Sequence, residues 1–226
     1  CNVPQESIRV IYRGTDPAEF PRDFQPTDTW LAKWRADFPQ LQGKRIIALP
    51  GRLSRLKGHH HLVTLIGHLK GQGITNVAGI IVGGMDPQHH SYVSKLKASI
   101  NEAGLKDEIV FTDQRTDMRE IYAISTLVLA VSNKAESFGR TALEPLCIGT
   151  PTVGFDLGGV GEILAALFPA GRVPNQDSQA LFDTVAGLLS APMPPIAPNT
   201  EFLLSNMCEH TLQTYAELVS EGATQP

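Results

Sequence analysis

This sequence has no run long enough to span a membrane, no disulfide framework and no basic block. No apolar run approaches the ~18 residues that a membrane span needs, and no signal peptide is expected. Only three cysteines occur in 226 residues, Cys1, Cys147 and Cys208. Scattered as they are, they form neither a disulfide ladder nor a zinc pattern, so a reducing compartment is expected, which implies the cytoplasm. Nineteen Lys and Arg stand against 23 Asp and Glu, for a net charge of −4. No basic block is present, so bulk electrostatics favour no nucleic acid. There is no Gly-x-Gly-x-x-Gly and no Gly-x4-Gly-Lys-Ser/Thr, which disfavours an NAD site and a P-loop NTPase. No internal repeat is apparent. Cys1 stands where a start methionine would, and we expect an excised or processed piece of a longer polypeptide.

What is present is a regular alternation of short apolar runs and amphipathic stretches, with 42% hydrophobic residues and length enough for one sizeable core. Residues 1–45 read as irregular. Residues 7–13 alternate weakly, as a candidate strand, and 30–38 read as a short helix with Thr29 as candidate N-cap and Pro39 beyond its end. From residue 46 the pattern becomes regular. Strands are expected at 46–49, 77–82, 109–112, 127–131 and 152–155. Helices are expected at 60–70, 91–103, 118–124, 138–148, 159–167 and 178–189, the fourth of them opening on Ser137 as N-cap and stopping at Gly149. Such alternation implies βαβ units: an α/β fold with a three-layer, Rossmann-like parallel sheet and helices on both faces. A proline-rich connector, 191–198, reads as extended. A terminal amphipathic helix is expected over 201–219, with Phe202, Leu203, Met207, Leu212, Tyr215 and Leu218 as apolar positions.

Two segments carry chemistry. In Ala135-Glu136-Ser137-Phe138-Gly139-Arg140-Thr141-Ala142-Leu143-Glu144, two carboxylates lie eight positions apart across a helix start, directly after the apolar run 126–131. A strand running into a helix N-terminus leaves backbone N–H groups free at the C-terminal edge of a sheet, where ligands bind in open α/β folds. A carboxylate beside them suits hydroxyl donors, as on a sugar. The second segment, Gly51-Arg52-Leu53-Ser54-Arg55-Leu56-Lys57-Gly58, follows the first regular strand. Gly51 permits a tight turn and Gly58 a close backbone approach to a ligand, while Arg52 can fork two phosphate oxygens and Lys57 adds a point charge. In a parallel sheet both loops lie on one edge, and a crevice both cationic and rich in hydroxyl acceptors suits a nucleotide sugar. The bland readings are solvated surface charges for Arg52, Lys57 and Glu136. Glu144, inside an apolar helix, needs either a hidden cation or a ligand, and Pro145 is expected to disturb that helix. Arg140 is a solvent-facing helix residue or a contributor to the phosphate field. His59, His60 and His61 point ~100° apart on a helix and cannot converge on a metal. His89 and His90 share that problem, so no metal site is expected.

Gly-Arg-x4-Lys-Gly followed by Glu-x7-Glu resembles the C-terminal domain of group 1 (family 4) glycosyltransferases of the GT-B fold, over roughly residues 8–215. Ile11-Tyr12-Arg13-Gly14-Thr15-Asp16 is similar to the family's interdomain lead-in, where Ile-Pro-Asn-Gly-Val-Asp is commoner. Val82-Gly83-Gly84 and the run from Phe155 to Glu162 also fall where family loops do. The resemblance implies residues 1–45 as interdomain segment, 46–190 as nucleotide-sugar-binding domain and 191–226 as connector and C-terminal helix. It implies retaining transfer of a sugar, a hexose, from a nucleoside-diphosphate donor, with no bound metal or other cofactor. Arg52 and Lys57 would hold the diphosphate and stabilise the leaving group. Glu136 would bind donor-sugar hydroxyls with the backbone N–H groups of the Ser137, Phe138, Gly139 turn, and Glu144 would bind ribose. The base would lie against Asp113, Gln114 and Arg115, in a loop where Gly is commoner than Asp113 and where a side chain could narrow the slot.

The partners so implied are a nucleotide sugar, a sugar or lipid-linked acceptor for glycan, polysaccharide or lipopolysaccharide synthesis, and an N-terminal acceptor domain absent from this chain. The fragment alone is expected to turn over negligibly. The apolar face of the last helix would be left exposed here, or covered in a homodimer. A cytoplasmic site is expected, with the inner face of the membrane open for the whole protein. Two alternatives stay open: a GT-B nucleotide-sugar epimerase or sugar phosphorylase, and a non-catalytic nucleotide-sugar-binding module.

Overall fold

The computed structural model describes residues 3–85 and 90–222, the side chains of residues 6, 221 and 222 excepted. Among the described residues, six strands run in chain order: β1 Arg45–Pro50, β2 Val77–Val82, β3 Ile109–Phe111, β4 Leu127–Ala130, β5 Thr152–Phe155 and β6 Arg172–Val173. They form one sheet in the order β3-β2-β1-β4-β5-β6, with every pairing parallel. Eight α-helices occur among the described residues: α1 Asp28–Asp37, α2 His59–Gly71, α3 His90–Glu102, α4 Met118–Ile124, α5 Arg140–Ile148, α6 Gly158–Leu167, α7 Ser178–Ser190 and α8 Leu204–Gly222. This is the expected α/β architecture.

The strands explain themselves by period. Along β1, Ile47 and Leu49 enter one apolar core while Ile46 and Ala48 enter another, as a sheet covered on both faces requires. α2 packs with α3 and α7, and α5 with α4 and α6. The positions expected to face inward on α2 (Leu62, Leu65, Ile66, Leu69) and α3 (Val93, Leu96, Ile100) are all buried. Phe20, Trp34 and Leu41 join the second core, with Trp34 stacked on Trp30 at 5.2 Å.

Four expectations need correction. Residues 8–13 form no strand; only Thr15 makes a bridge, to Leu203. α1 begins earlier, and Thr27 caps it by accepting from the Trp30 N–H, in place of Thr29. α5 starts at Arg140, not Phe138, with Gly139 at its N-cap (φ 101°) and no side-chain cap from Ser137. α8 starts at Leu204, because Phe202 is drawn into the core and is only 2% exposed. Thr15 N–H donates to the Phe202 carbonyl and Leu204 N–H to the Thr15 carbonyl, so the lead-in and the connector are laced together there. Two-residue β6 was not anticipated; so short a strand leaves no periodic signal.

Candidate functional site

The strand order reverses direction between β1 and β4, which pair side by side. Beyond the carboxyl ends of strands at such a switch point, open α/β sheets form their ligand crevice. The two segments singled out in the sequence emerge there. β1 runs out at Pro50 into Gly51, whose φ of 147° turns the chain, then through Arg52 to a single 3-10 turn, Arg55–Lys57. β4 runs out at Ala130 toward Glu136.

The loops meet. Lys57 Nζ lies 2.6 Å from Glu136 Oε1, each side chain only 25% and 21% exposed. The Ser132 hydroxyl donates to the same carboxylate oxygen. The Glu136 carbonyl accepts from Gly159 N–H at 2.9 Å, so the turn is also pinned to the start of α6. Arg52 is exposed and makes no ion pair or hydrogen bond among the described residues. Its guanidinium is therefore the uncommitted cation of the crevice. It lines a cleft of about 370 Å³ with Gly51, Val82, Gly83, Gly84, Gln114 and Arg115.

Gly58 is explained differently from the sequence reading. It sits at φ 70°, and a Cβ there would collide with the Val131 carbonyl oxygen. The close approach it permits is to the end of β4, not to a ligand. Gly58 locks the β1 loop against the β4 loop, and this contact brings Lys57 within reach of Glu136.

Glu144 is buried, with a side chain 7% exposed. Its hidden cation is present: Arg140, one turn earlier on α5, donates Nε–H to Oε1 at 2.6 Å. The Tyr122 hydroxyl of α4 donates to Oε2 at 3.0 Å. Burial pushes the Glu144 carboxyl above its ordinary range, while Arg140 and Tyr122 pull it back. Glu144 lines a second cavity of about 300 Å³ with Glu19, Thr116, Arg119 and Arg140; Met118 borders both this cavity and the larger cleft. Pro145 does not break α5, although its missing N–H leaves the Thr141 carbonyl without its ladder donor.

In the loop after β3, Asp113 takes the left-handed conformation with φ 57°. That is the region where glycine costs nothing, which accounts for the departure noted in the sequence. Its carbonyl accepts from Gly83 N–H at 3.0 Å, and its side chain is exposed and does not line the cleft, so it does not narrow the slot. Gln114 and Arg115 do line it. Arg115 is braced: it forks to Asp117 with bonds of 2.9 and 2.6 Å, and Trp30 Nε1 donates to the same carboxylate at 2.7 Å. Burial works against the Asp117 charge, but these donors hold its carboxyl below the usual range.

Phe138 is buried and Ser137 exposed. The Phe138 ring packs edge-on to Phe202 at 6.3 Å, and Phe202 to Tyr12 at 5.3 Å. His59 turns away to the Tyr92 hydroxyl at 3.3 Å and His61 meets Asn133 at 3.1 Å, but the His60 and His61 rings lie 3.9 Å apart, closer than their helical spacing led us to expect. Burial pushes His59 down to about 4. His89 lies outside the described residues. Among the described residues no group of three or more His, Cys, Asp or Glu is placed to hold a metal, and no helix is long and apolar enough to cross a membrane.

Sequence reasoning thus found Arg52, Lys57, Glu136 and Glu144, and the structure brings the middle two into contact. It missed the supports: Ser132, Tyr122, Asp117 and Trp30. Tyr122 and Trp30 lie 22 and 87 residues from the carboxylates they hold, where no local spacing relates them, whereas Ser132 and Asp117 lie only 4 and 2 residues from Glu136 and Arg115, within a local window.

The profile described as glycosyl transferases group 1 matches residues 32–199. Among curated proteins, the chain is 29% identical over 157 residues to lipopolysaccharide core biosynthesis mannosyltransferase LpcC of Rhizobium leguminosarum bv. viciae, covering 70% of this chain and 44% of that protein. It is 31% identical over 199 residues to 2-deoxystreptamine glucosyltransferase of Streptomyces kanamyceticus, covering 85% and 48%. The chain therefore spans about half the length of the curated relatives it matches. Anabaena Alr3699/HepE, solved in complex with UDP and glucose, has a similar fold: TM-score 0.83 at 23% identity, over 96% of this chain and 59% of that one. The C-terminal domain of a glycosyl transferase group 1 family protein (LpcC) from Francisella tularensis aligns with TM-score 0.63 at 20% identity, over 89% and 98%.

Proposed function

Because this chain belongs to the group 1 glycosyl transferases and has the sheet of the GT-B fold, we propose that it is the donor-binding half of a retaining enzyme that transfers a hexose from a nucleoside-diphosphate sugar. The observation that carries this reading is the 2.6 Å contact of Lys57 with Glu136 at the switch point, on the loop that also carries the unpaired Arg52 into the neighbouring cleft. A cation to neutralise a diphosphate and a carboxylate to take sugar hydroxyls stand side by side.

The division of labour follows from chemistry. As the glycosidic bond to the diphosphate breaks, negative charge accumulates on the leaving oxygen. Lys57, already held by Glu136, and Arg52, which swings in from the same loop, stabilise that charge. Glu136 accepts from the sugar hydroxyls and orients the ring, with the Ser137, Phe138 and Gly139 backbone at the start of α5 adding N–H donors. Glu144 accepts from ribose. Gln114 and Arg115, which line the 370 Å³ cleft, receive the base; Asp113 contributes its backbone. The reaction needs no metal or other cofactor in this reading.

Residues 46–190 form the nucleotide-sugar domain, with residues 1–45 and 191–226 connecting it to an N-terminal acceptor domain. That domain would cover the outer face of α8, where Leu212, Tyr215, Leu218 and Val219 are 67%, 63%, 59% and 72% exposed. The acceptor is a glycan or a lipid-linked sugar, met in the cytoplasm or at the inner face of the membrane. Alone, the chain binds donor and turns over negligibly.

Calorimetric titration with UDP, GDP, ADP and CMP tests this. Saturable binding of one diphosphate, weakened at least tenfold by Arg52→Ala, is expected. Binding of none, or binding indifferent to Arg52, would overturn the assignment.

A further inference from the structure

The two supports of Glu144 carry more than packing requires. Arg140 is 66% exposed, yet it spends its Nε on an inward-facing carboxylate that is 7% exposed. Tyr122 is 1% exposed, and a phenylalanine would fill the same space without burying a hydroxyl. Each carboxylate oxygen of Glu144 receives one protein donor, from a different helix. A carboxylate offers about four acceptor directions, so one remains on each oxygen. Two fixed acceptors at carboxylate spacing match a vicinal pair of hydroxyls, one hydroxyl to each oxygen.

We propose that Arg140 and Tyr122 are positioning residues that hold Glu144 ionised and oriented for the 2′- and 3′-hydroxyls of a nucleotide ribose, and so set the preference of this site for ribonucleotides over 2′-deoxyribonucleotides. The inference rests on the reading of Glu144 as the ribose ligand. The charges around it assign the role to Arg140 specifically. On α5, Arg140 is the cation paired with Glu144, while Cys147 is kept neutral by burial, which raises its thiol. On α4, Arg119 lines the same cavity but turns to the Phe24 ring at 4.4 Å and to Glu120 at 3.4 Å, and Tyr122 is held well above its ordinary value, chiefly by burial. From the lead-in segment, Glu19 faces Glu144 and raises it further. Without Arg140, burial and Glu19 both push the carboxyl toward protonation. A protonated carboxyl has one acceptor fewer, so ribose preference is present above its pKa and lost as pH falls through it.

The test is calorimetry on the 226-residue chain with UDP, GDP and ADP, each beside its 2′-deoxy counterpart, from pH 5.5 to 8. The pair that binds is then followed in Arg140→Leu, Arg140→Lys, Tyr122→Phe and Glu144→Gln. The wild type should favour the ribonucleotide about tenfold at pH 8, one hydrogen bond to a charged group. Arg140→Leu should lose the preference at a higher pH than the wild type does, and Arg140→Lys should restore the wild-type profile. Tyr122→Phe should reduce the preference severalfold. A wild-type profile in Arg140→Leu would overturn the proposal while leaving Glu144 as ribose ligand. Equal affinity of wild type for both sugars, or an unchanged preference in Glu144→Gln, would instead sink the reading beneath it.

Discussion

Glu136 sits so close to Lys57 that the two proposed roles in the crevice oppose each other, and this yields a prediction with a sign. Glu136→Gln should tighten the binding of a bare nucleoside diphosphate, while Lys57→Met should weaken it. A phosphate oxygen in contact with Lys57 Nζ, ~2.8 Å away, would place its charge about 5 Å from a carboxylate whose Oε1 is 2.6 Å from the same nitrogen. One unit charge pair at that separation repels by roughly 3 kcal/mol at an effective dielectric of ~20. The side chains are 25% and 21% exposed, so water and salt reduce the effect by at least half, leaving about 1.4 kcal/mol or ~tenfold in affinity. Glu136→Gln should therefore bind the diphosphate about tenfold more tightly at low salt, with the gain shrinking at high salt. For the intact nucleotide sugar the gain should vanish, because the amide accepts sugar hydroxyls less well than the carboxylate. Isothermal titration of both ligands against both variants decides it. Unchanged or weaker diphosphate binding by Glu136→Gln would refute the reasoning: the carboxylate would not share its field with the diphosphate.

Three further outcomes follow from geometry already described. Phe202→Ala should cost about 3–5 kcal/mol, as for a large core ring, since the side chain is 2% exposed between Tyr12 and Phe138; urea denaturation reading under 1 kcal/mol would contradict this. Stability should fall as pH drops below ~6.5, because burial holds His59 to about 4 in the folded chain while the unfolded chain takes up its proton earlier. Fully expressed, this is worth roughly 3 kcal/mol, and His59→Gln should flatten the pH dependence of the denaturation midpoint. Asp113→Val should cost about 1–2 kcal/mol, because a branched side chain at φ 57° is strained; Asp113→Gly should be close to neutral in the same assay.

The parts of this protein that announce themselves in sequence are those where one physical demand acts alone. β2 reads without error because Val77–Val82 is buried along its whole length, so every position obeys one rule. α2 and α3 read from the 3.6-residue recurrence of their inward faces. α5 misreads by two residues because Ser137 looks like a cap, whereas Gly139 takes the cap position and the turn before it is held by the Glu136–Gly158 bridge. That bridge joins residues 22 apart, and a local window does not see it. The same limit hid Phe202, which resembles the first turn of an amphipathic helix until its partners Tyr12 and Phe138 are known. At the site, the motif residues were visible because their chemistry is conspicuous, while Tyr122 looked like an ordinary helix residue. What it does depends on the carboxylate that the fold puts opposite it.

The contact at Gly58 has a consequence for how this crevice can change over generations. A substitution there collides with the carbonyl of Val131, a group every amino acid carries. No second mutation at position 131 can make room, so the loss has no compensating partner. Side chains around the cleft, such as Gln114 or Met118, can be exchanged one at a time to suit another base or sugar. The junction of the two loops cannot drift in this way. New specificities in such a protein must be built on a fixed frame, by repainting the walls rather than moving them.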